Sequence, residues 1–209
     1  VFASSSSVYG TNTILPYGVD DPTDHPISLY AATKKAGEMM AHSYCHLYGI
    51  PMTGLRFFTV YGPWGRPDMA PMKFAKAIIA GDPIDIYNDG NMSRDFTYID
   101  DIIDGVIRVL GYLPEPVALA PGAVPNPSTS HTAPYRLYNI GNSKPVDLMD
   151  FIAALEASLG LQAVRNFMPM QPGDVKDTWA DVATLARDVG YQPQTSIEDG
   201  VARFTQWYR

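Results

Sequence analysis

Three stretches, in order, limit what this chain can fold into. An apolar opening, Val1-Phe2-Ala3, runs into four serines, Ser4 to Ser7, and then into Val8-Tyr9-Gly10. A segment rich in good helix formers, from about Tyr30 to Tyr48, lies between Pro26 and Gly49-Ile50-Pro51 and predicts a helix. Met52 to Phe58 then reads as a buried strand. Strand, helix and strand in succession imply a parallel pair in an α/β sheet. Ligands of such sheets bind at the carboxyl ends of the strands, which is where the serine run falls.

Tyr30 and Lys34 are four residues apart, so a helix that begins by Tyr30 puts them on one face. A phenol beside a fixed ammonium can act as a base. Ionising a free tyrosine at neutral pH, from a pKa near ~10, costs about 4 kcal/mol. A unit charge about 5 Å away, at an effective dielectric near 20, returns roughly 3 kcal/mol. A hydroxyl at the strand end and a phenolate on the next helix would converge on one substrate oxygen. The bland alternative is a pair of ordinary surface residues, since the spacing alone is common.

Further along, Arg56 sits inside an apolar run, so it is expected to pair with a carboxylate or with carbonyls. Ala70 to Ala80 reads as a helix closed by Gly81-Asp82-Pro83, Ile84 to Tyr87 as a strand, and Asn88 to Asn91 as a turn. Arg94 to Tyr98 reads as extended, and Asp100 or Asp101 as the cap of a helix reaching about Gly111. The proline-dense 113–134 stretch reads as a long loop. A strand is expected over Arg136–Ile140 and another over Val164–Met168. Helices are expected over Val146–Leu159, Val182–Val189 and Ser196–Trp207, the last capped by Thr195 with Glu198 closing a capping box.

Composition narrows the partners. A formal charge of −7 over 209 residues argues against a nucleic acid, whose phosphates call for a basic surface. At 46% hydrophobic and 18% charged the chain has a globular composition, with no apolar run long enough to span a membrane. Its single cysteine, Cys45, allows no internal disulfide, suits a reducing compartment such as the cytoplasm, and reads as a buried structural thiol. His42 and His46 share a helical spacing, but no third ligand lies beside them, so no metal site is expected.

Four stretches carry a family resemblance: Ala3-Ser4-Ser5-Ser6-Ser7-Val8-Tyr9-Gly10, Tyr30-Ala31-Ala32-Thr33-Lys34, Arg56 through Met69 (RFFTVYGPWGRPDM), and Arg94 through Asp101 (RDFTYIDD). In these, and in their order, the chain resembles the extended short-chain dehydrogenase/reductase family, and within it the UDP-glucuronate 4-epimerases. The resemblance implies an α/β fold: the carboxyl-terminal part of a Rossmann-type doubly wound parallel sheet, with a smaller α/β substrate-binding domain. It divides the chain into a Rossmann remainder (1–62), a substrate-binding segment (63–93), a return to the Rossmann domain holding the 113–134 loop (94–142), and a substrate-binding domain (143–209). It implies NAD as cofactor, a UDP-sugar substrate, and a homodimer when complete. The expected reaction is 4-epimerisation of UDP-glucuronate to UDP-galacturonate through a 4-keto sugar.

The resemblance also assigns residues. Ser5, Tyr30 and Lys34 are the expected catalytic group, with Ser5 bonding the sugar O4 and Lys34 holding the ribose and the ionised Tyr30. Phe57 and Val60 would line the nicotinamide pocket; taken alone they read as core. Ser6 and Ser7 stand where the similar dehydratases carry acids, and Ser7 where the decarboxylases carry a glutamate. Two hydroxyls there, with Thr59, suit a substrate carboxylate that an acidic side chain would repel. Arg66 and Arg94 are candidate anion clamps, because a guanidinium bonds two oxygens at once; the alternative is surface pairing with Asp68 or Asp95. Tyr87 is placed to stack on uracil and Asp174 to accept from the ribose. Gln171 stands where the galactose epimerases carry an arginine. No Gly-x-Gly-x-x-Gly turn occurs, so the resemblance implies that the first βα units of the cofactor domain, on the order of a hundred residues, are missing. The competing readings are a related dehydratase or decarboxylase, or a non-catalytic UDP-sugar-binding fragment.

Overall fold

The apolar opening forms β1 (Phe2–Ser5), and the serines then tighten into one 3-10 turn over Ser6–Tyr9. Gly10 ends that turn at φ 56°, and a Cβ there would overlap the His25 carbonyl, so the Val-Tyr-Gly glycine is required by geometry. These features come from a computed structural model that describes residues 1–209. Ser28 caps α1 (Leu29–Tyr48) by accepting from the Ala31 amide, and Gly49 closes the helix in the left-handed conformation. β2 (Met52–Phe57) returns parallel to β1, with Ser5 beside Phe57. The chain continues through β3 (Thr59–Tyr61), α2 (Ala70–Ala80), β4 (Pro83–Tyr87), β5 (Ser93–Arg94), β6 (Phe96–Tyr98) and α3 (Ile99–Leu110) to β7 (Tyr135–Ile140). β8 (Val146–Asp147), α4 (Leu148–Leu159), β9 (Val164–Met168), β10 (Asp177–Thr178), α5 (Ala183–Val189) and α6 (Ile197–Tyr208) complete it.

β7 takes the free edge of β2, again in parallel, so the first sheet has the order β1-β2-β7 with β2 in the centre. Leu55, Ile140, Ile102, Leu185 and Tyr191 form the core between this sheet and α3 and α5. A second core gathers α2, the parallel pair β4–β9, α4 and α6 around Phe74, Ile86, Phe151, Leu155 and Phe204. The α/β fold and its parallel sheet are those expected from the strand–helix–strand order. α5 and Tyr191, within the 143–209 segment, pack on the first core rather than the second.

The two cores meet where β3 pairs with β6. The Thr59 amide donates to the Asp95 carbonyl. The Asp95 carboxylate is fully buried and accepts from the amides of Asn142, Ser143 and Ala180 and from the Thr97 hydroxyl. Burial pushes its pKa up, against the pull of those four donors. Arg56 does find the carboxylate expected of it. It is 0% exposed on β2 and holds Glu38 of α1 with two hydrogen bonds, of 2.8 and 3.0 Å. Cys45 is buried, as expected. The proline-dense 113–134 loop is tied down by Asn126, which donates to Asp20, and by Ser130 against His42.

Several local expectations need correction. α3 starts at Ile99 with no side-chain cap; Asp101 accepts instead from the amides of Gln194 and Thr195, and Asp100 pairs with Arg203. A carboxylate near a helix start was drawn to a more distant pair of amides. The cap of α6 is Ser196 bonded to the Asp199 amide, one residue later than Thr195 and Glu198 would place it. Val146 and Asp147 extend as a strand against β5 before α4 begins, because edge pairing overrides helix propensity there. No helix is long and apolar enough to cross a membrane.

Candidate active site

The end of β1 and the start of α1 form one wall of a cavity of about 590 Å³. Tyr30, in the first turn of α1, is half-exposed into it. Lys34 lies one turn on, its Nζ 5.8 Å from the Tyr30 ring centroid and donating to the Ala3 carbonyl at 3.0 Å. Ser5 closes β1; its hydroxyl donates to Ser7 at 3.1 Å and accepts from the Ser7 amide. Phe57, beside Ser5 on the neighbouring strand, and Val60 line the same cavity, and both also touch the first core. The residues expected for catalysis and for the nicotinamide end therefore converge. The lining holds two cations, Lys34 and Arg66, a row of hydroxyls, and no carboxylate.

The donor set suits a dinucleotide's nicotinamide ribose. Lys34 has three N–H donors and uses one on Ala3, which leaves donors for ribose hydroxyls.

Ser6, Ser7 and Thr59 line both this cavity and a second one of about 260 Å³, so they stand at the passage between the two. The second cavity holds Tyr17, Arg94 and Asp174. Arg94 donates to the Ser93 and Lys176 carbonyls and, at 2.9 Å, to the Asp174 carboxylate. Two further cavities, of about 190 and 610 Å³, carry the trench on past Asp174 to Tyr87, and Gln171 lines the larger of them. Met69 precedes α2 and lines all four cavities, so the trench is continuous.

The expected residues thus fall in linear order along one trench, with two departures. Arg66 and Arg94 do not share a cavity: Arg66 lies beside Tyr30 and Arg94 lies past the serines. Arg66 forms the exposed pair with Asp68 that was its alternative reading. Arg94 pairs with Asp174 and not with its neighbour Asp95, whose carboxylate is turned into the junction between the cores. The sequence reading missed Met69 and Trp64. Trp64 is 86% exposed at the mouth of the first cavity, in the left-handed region at φ 60°, with its ring 5.4 Å from that of Trp207. The only signal for either was its place inside the RFFTVYGPWGRPDM stretch.

A family model described as the NAD dependent epimerase/dehydratase family matches residues 1–141. The chain belongs to this family. It is 56% identical over 208 residues to Protein CapI of Staphylococcus aureus, and 50% identical over 210 residues to a probable UDP-glucuronate 4-epimerase of Rhizobium meliloti. Both matches take in all of this chain but only 62% and 61% of those proteins, so the chain spans less than two thirds of their length. A solved UDP-glucuronic acid 4-epimerase from Bacillus cereus, in complex with UDP-glucuronic acid and NAD, superposes with a TM-score of 0.82 at 35% identity. That match covers 98% of this chain and 59% of the Bacillus chain. The four stretches that carry the resemblance, from the serine run through RDFTYIDD, all lie within the matched residues 1–141.

Proposed function

We propose that the protein carrying this chain is an NAD-dependent UDP-sugar 4-epimerase that interconverts UDP-glucuronate and UDP-galacturonate. The observation that carries this reading is the first cavity's lining: Lys34 and a row of hydroxyls with no carboxylate, opening onto Arg94. Such a lining suits an anionic sugar, and the arginine beyond it suits a diphosphate. The Rhizobium relative and the Bacillus complex support the same substrate class.

In this reading the Tyr30 oxygen takes the proton of the C4 hydroxyl while Ser5 donates to the same sugar oxygen. What NAD supplies when bound is a reversible acceptor for the C4 hydride. Lys34, with Phe57 and Val60, would hold its nicotinamide end. Tyr30 returns the proton to the same oxygen as the hydride goes back to the opposite face of C4, and the C4 hydroxyl re-forms with inverted configuration. Ser6, Ser7 and Thr59 bind the carboxylate, and Tyr87 and Asp174 receive the uridine. A dehydratase or decarboxylase would call for an acid among the serines, and neither Ser6 nor Ser7 can supply one. The test is to incubate the protein, at the length of its relatives, with UDP-glucuronate and NAD and to separate the products. UDP-galacturonate without carbon dioxide release is expected; carbon dioxide release would replace this reading with decarboxylation.

Two variants probe the two ends of the substrate. Arg94→Ala should weaken UDP binding by about 1.5–3 kcal/mol, the range for a hydrogen bond to a charged group. An unchanged dissociation constant by calorimetry would move the diphosphate elsewhere. Ser7→Glu places a carboxylate at the passage, where a second one about 5 Å away at an effective dielectric near 20 costs roughly 3 kcal/mol. UDP-glucuronate should lose affinity and UDP-glucose should lose far less. Equal losses would put the sugar carboxylate away from Ser7.

A further inference from the structure

All four consecutive serines border the first cavity, but Ser4 alone has no assigned contact with substrate, and its bonding is unlike that of the others. It is 3% exposed, and its hydroxyl donates at 2.6 Å to Glu38 Oε1 on α1. The same oxygen accepts from Arg56 Nε at 2.8 Å, and Glu38 Oε2 accepts from Arg56 Nη2 at 3.0 Å. Arg56 goes on to the Tyr9 hydroxyl at 3.0 Å and the Val19 carbonyl at 2.8 Å, and Tyr9 donates to Asn139 at 2.6 Å. Adjacent strand residues point to opposite faces, and here Ser4 turns to Glu38 while Ser5 reaches Ser7.

Three successive turns of α1 therefore meet β1. Tyr30 shares the first cavity with Ser5, Lys34 bonds the Ala3 carbonyl, and Glu38 bonds Ser4. From Tyr30 to Glu38 is about 12 Å along the helix. A bond at the Glu38 end fixes both the slide and the rotation of α1 that set where Tyr30 and Lys34 stand. We infer that Ser4 is a positioning residue: through Glu38 and Arg56 it locks the register of α1 on β1, and so aligns Tyr30 and Lys34 with Ser5. The inference rests on the proposed epimerase reading for its rate effect, but not for its geometry.

The test uses the protein at the length of its relatives, with Ser4→Ala and Ser4→Thr. Ser4→Ala leaves the two Arg56 hydrogen bonds to Glu38 in place, so the variant should fold. Its kcat for UDP-glucuronate should fall about tenfold with little change in KM, since misplacing a catalytic group by a fraction of an ångström slows chemistry without loosening remote binding contacts. Ser4→Thr keeps the hydroxyl and should recover most of the rate. A purely structural serine would lower the melting temperature without a selective loss of kcat that threonine restores. A kcat for Ser4→Ala within twofold of the parent, or no recovery with threonine, overturns the inference. If the parent shows no turnover of UDP-glucuronate, the substrate reading fails, and crystal structures of the parent and Ser4→Ala decide the positioning. Loss of the Lys34 Nζ to Ala3 carbonyl bond in the variant supports it, and an unmoved α1 overturns it.

Discussion

Tyr30→Phe should lower epimerisation of UDP-glucuronate by about 10²–10⁴-fold, the usual contribution of a positioned acid–base group, while UDP-sugar binding persists. The substitution removes one oxygen and keeps the ring. The Lys34 ammonium still lies beside that ring and still holds the Ala3 carbonyl, so the cavity wall stays in place. The groups proposed to hold the uridine diphosphate, Arg94, Asp174 and Tyr87, lie in adjoining cavities that Tyr30 does not line. Turnover and calorimetric binding should therefore separate. Turnover near the parent's would show that another group takes the proton. Loss of binding together with turnover would show that the phenol holds substrate rather than acting on it.

Arg56→Ala should cost about 3–5 kcal/mol of folding stability at neutral pH, because removing one partner of a buried pair strands the other. Glu38 is 2% exposed, and Ser4 and Lys35 are its remaining polar neighbours. The pH dependence has a definite sign. Burial pushes the Glu38 pKa up, but hydrogen bonding and charge from Arg56, then Ser4 and Lys35, outweigh it and hold the carboxyl below its ordinary 4.5. A carboxyl with a depressed folded pKa adds stability above its unfolded value and loses it as pH falls through the folded one. The parent should thus weaken through this pair only below about pH 4.5. In Arg56→Ala the stranded Glu38 loses its main reason to stay ionised, so the gap between parent and variant should narrow toward acid. Asp95, whose pKa burial raises, contributes with the opposite sign, but it does so in both proteins and cancels in the difference. Urea midpoints at pH 7 and pH 4 measure this. A gap that does not narrow in acid would mean that Glu38 is not ionised in the parent.

Tyr30 and Arg56 depend on one piece of the fold, α1 and its attachment to the first sheet. Arg56 and Glu38 fasten the helix that carries Tyr30 to β2, whose last residue, Phe57, pairs with Ser5 at the end of β1. The expected polar partner of Arg56 follows from placing a guanidinium in an apolar strand. That the partner is Glu38 does not, because nothing local to Arg56 points to a residue on the preceding helix. Family resemblance supplied the roles of the trench residues. It did not supply their spatial order, nor the separation of Arg66 from Arg94 into different cavities.

What the sequence determined by itself is whatever neighbours along the chain decide. Helix formers between Pro26 and Gly49 make α1, the four-residue spacing puts Tyr30 and Lys34 on one face, and apolar runs with turn signals make β1, β2 and β9. Only the tertiary structure decided that β7 closes on β2, that Arg94 meets Asp174 eighty residues away, that Met69 joins four cavities, and that Asp101 serves distant amides instead of its own helix. The physical reason is that propensity and periodicity record only local conformational preference. Which donor reaches which acceptor across the fold is set by the packing of two cores against each other, and no short window of sequence contains that information.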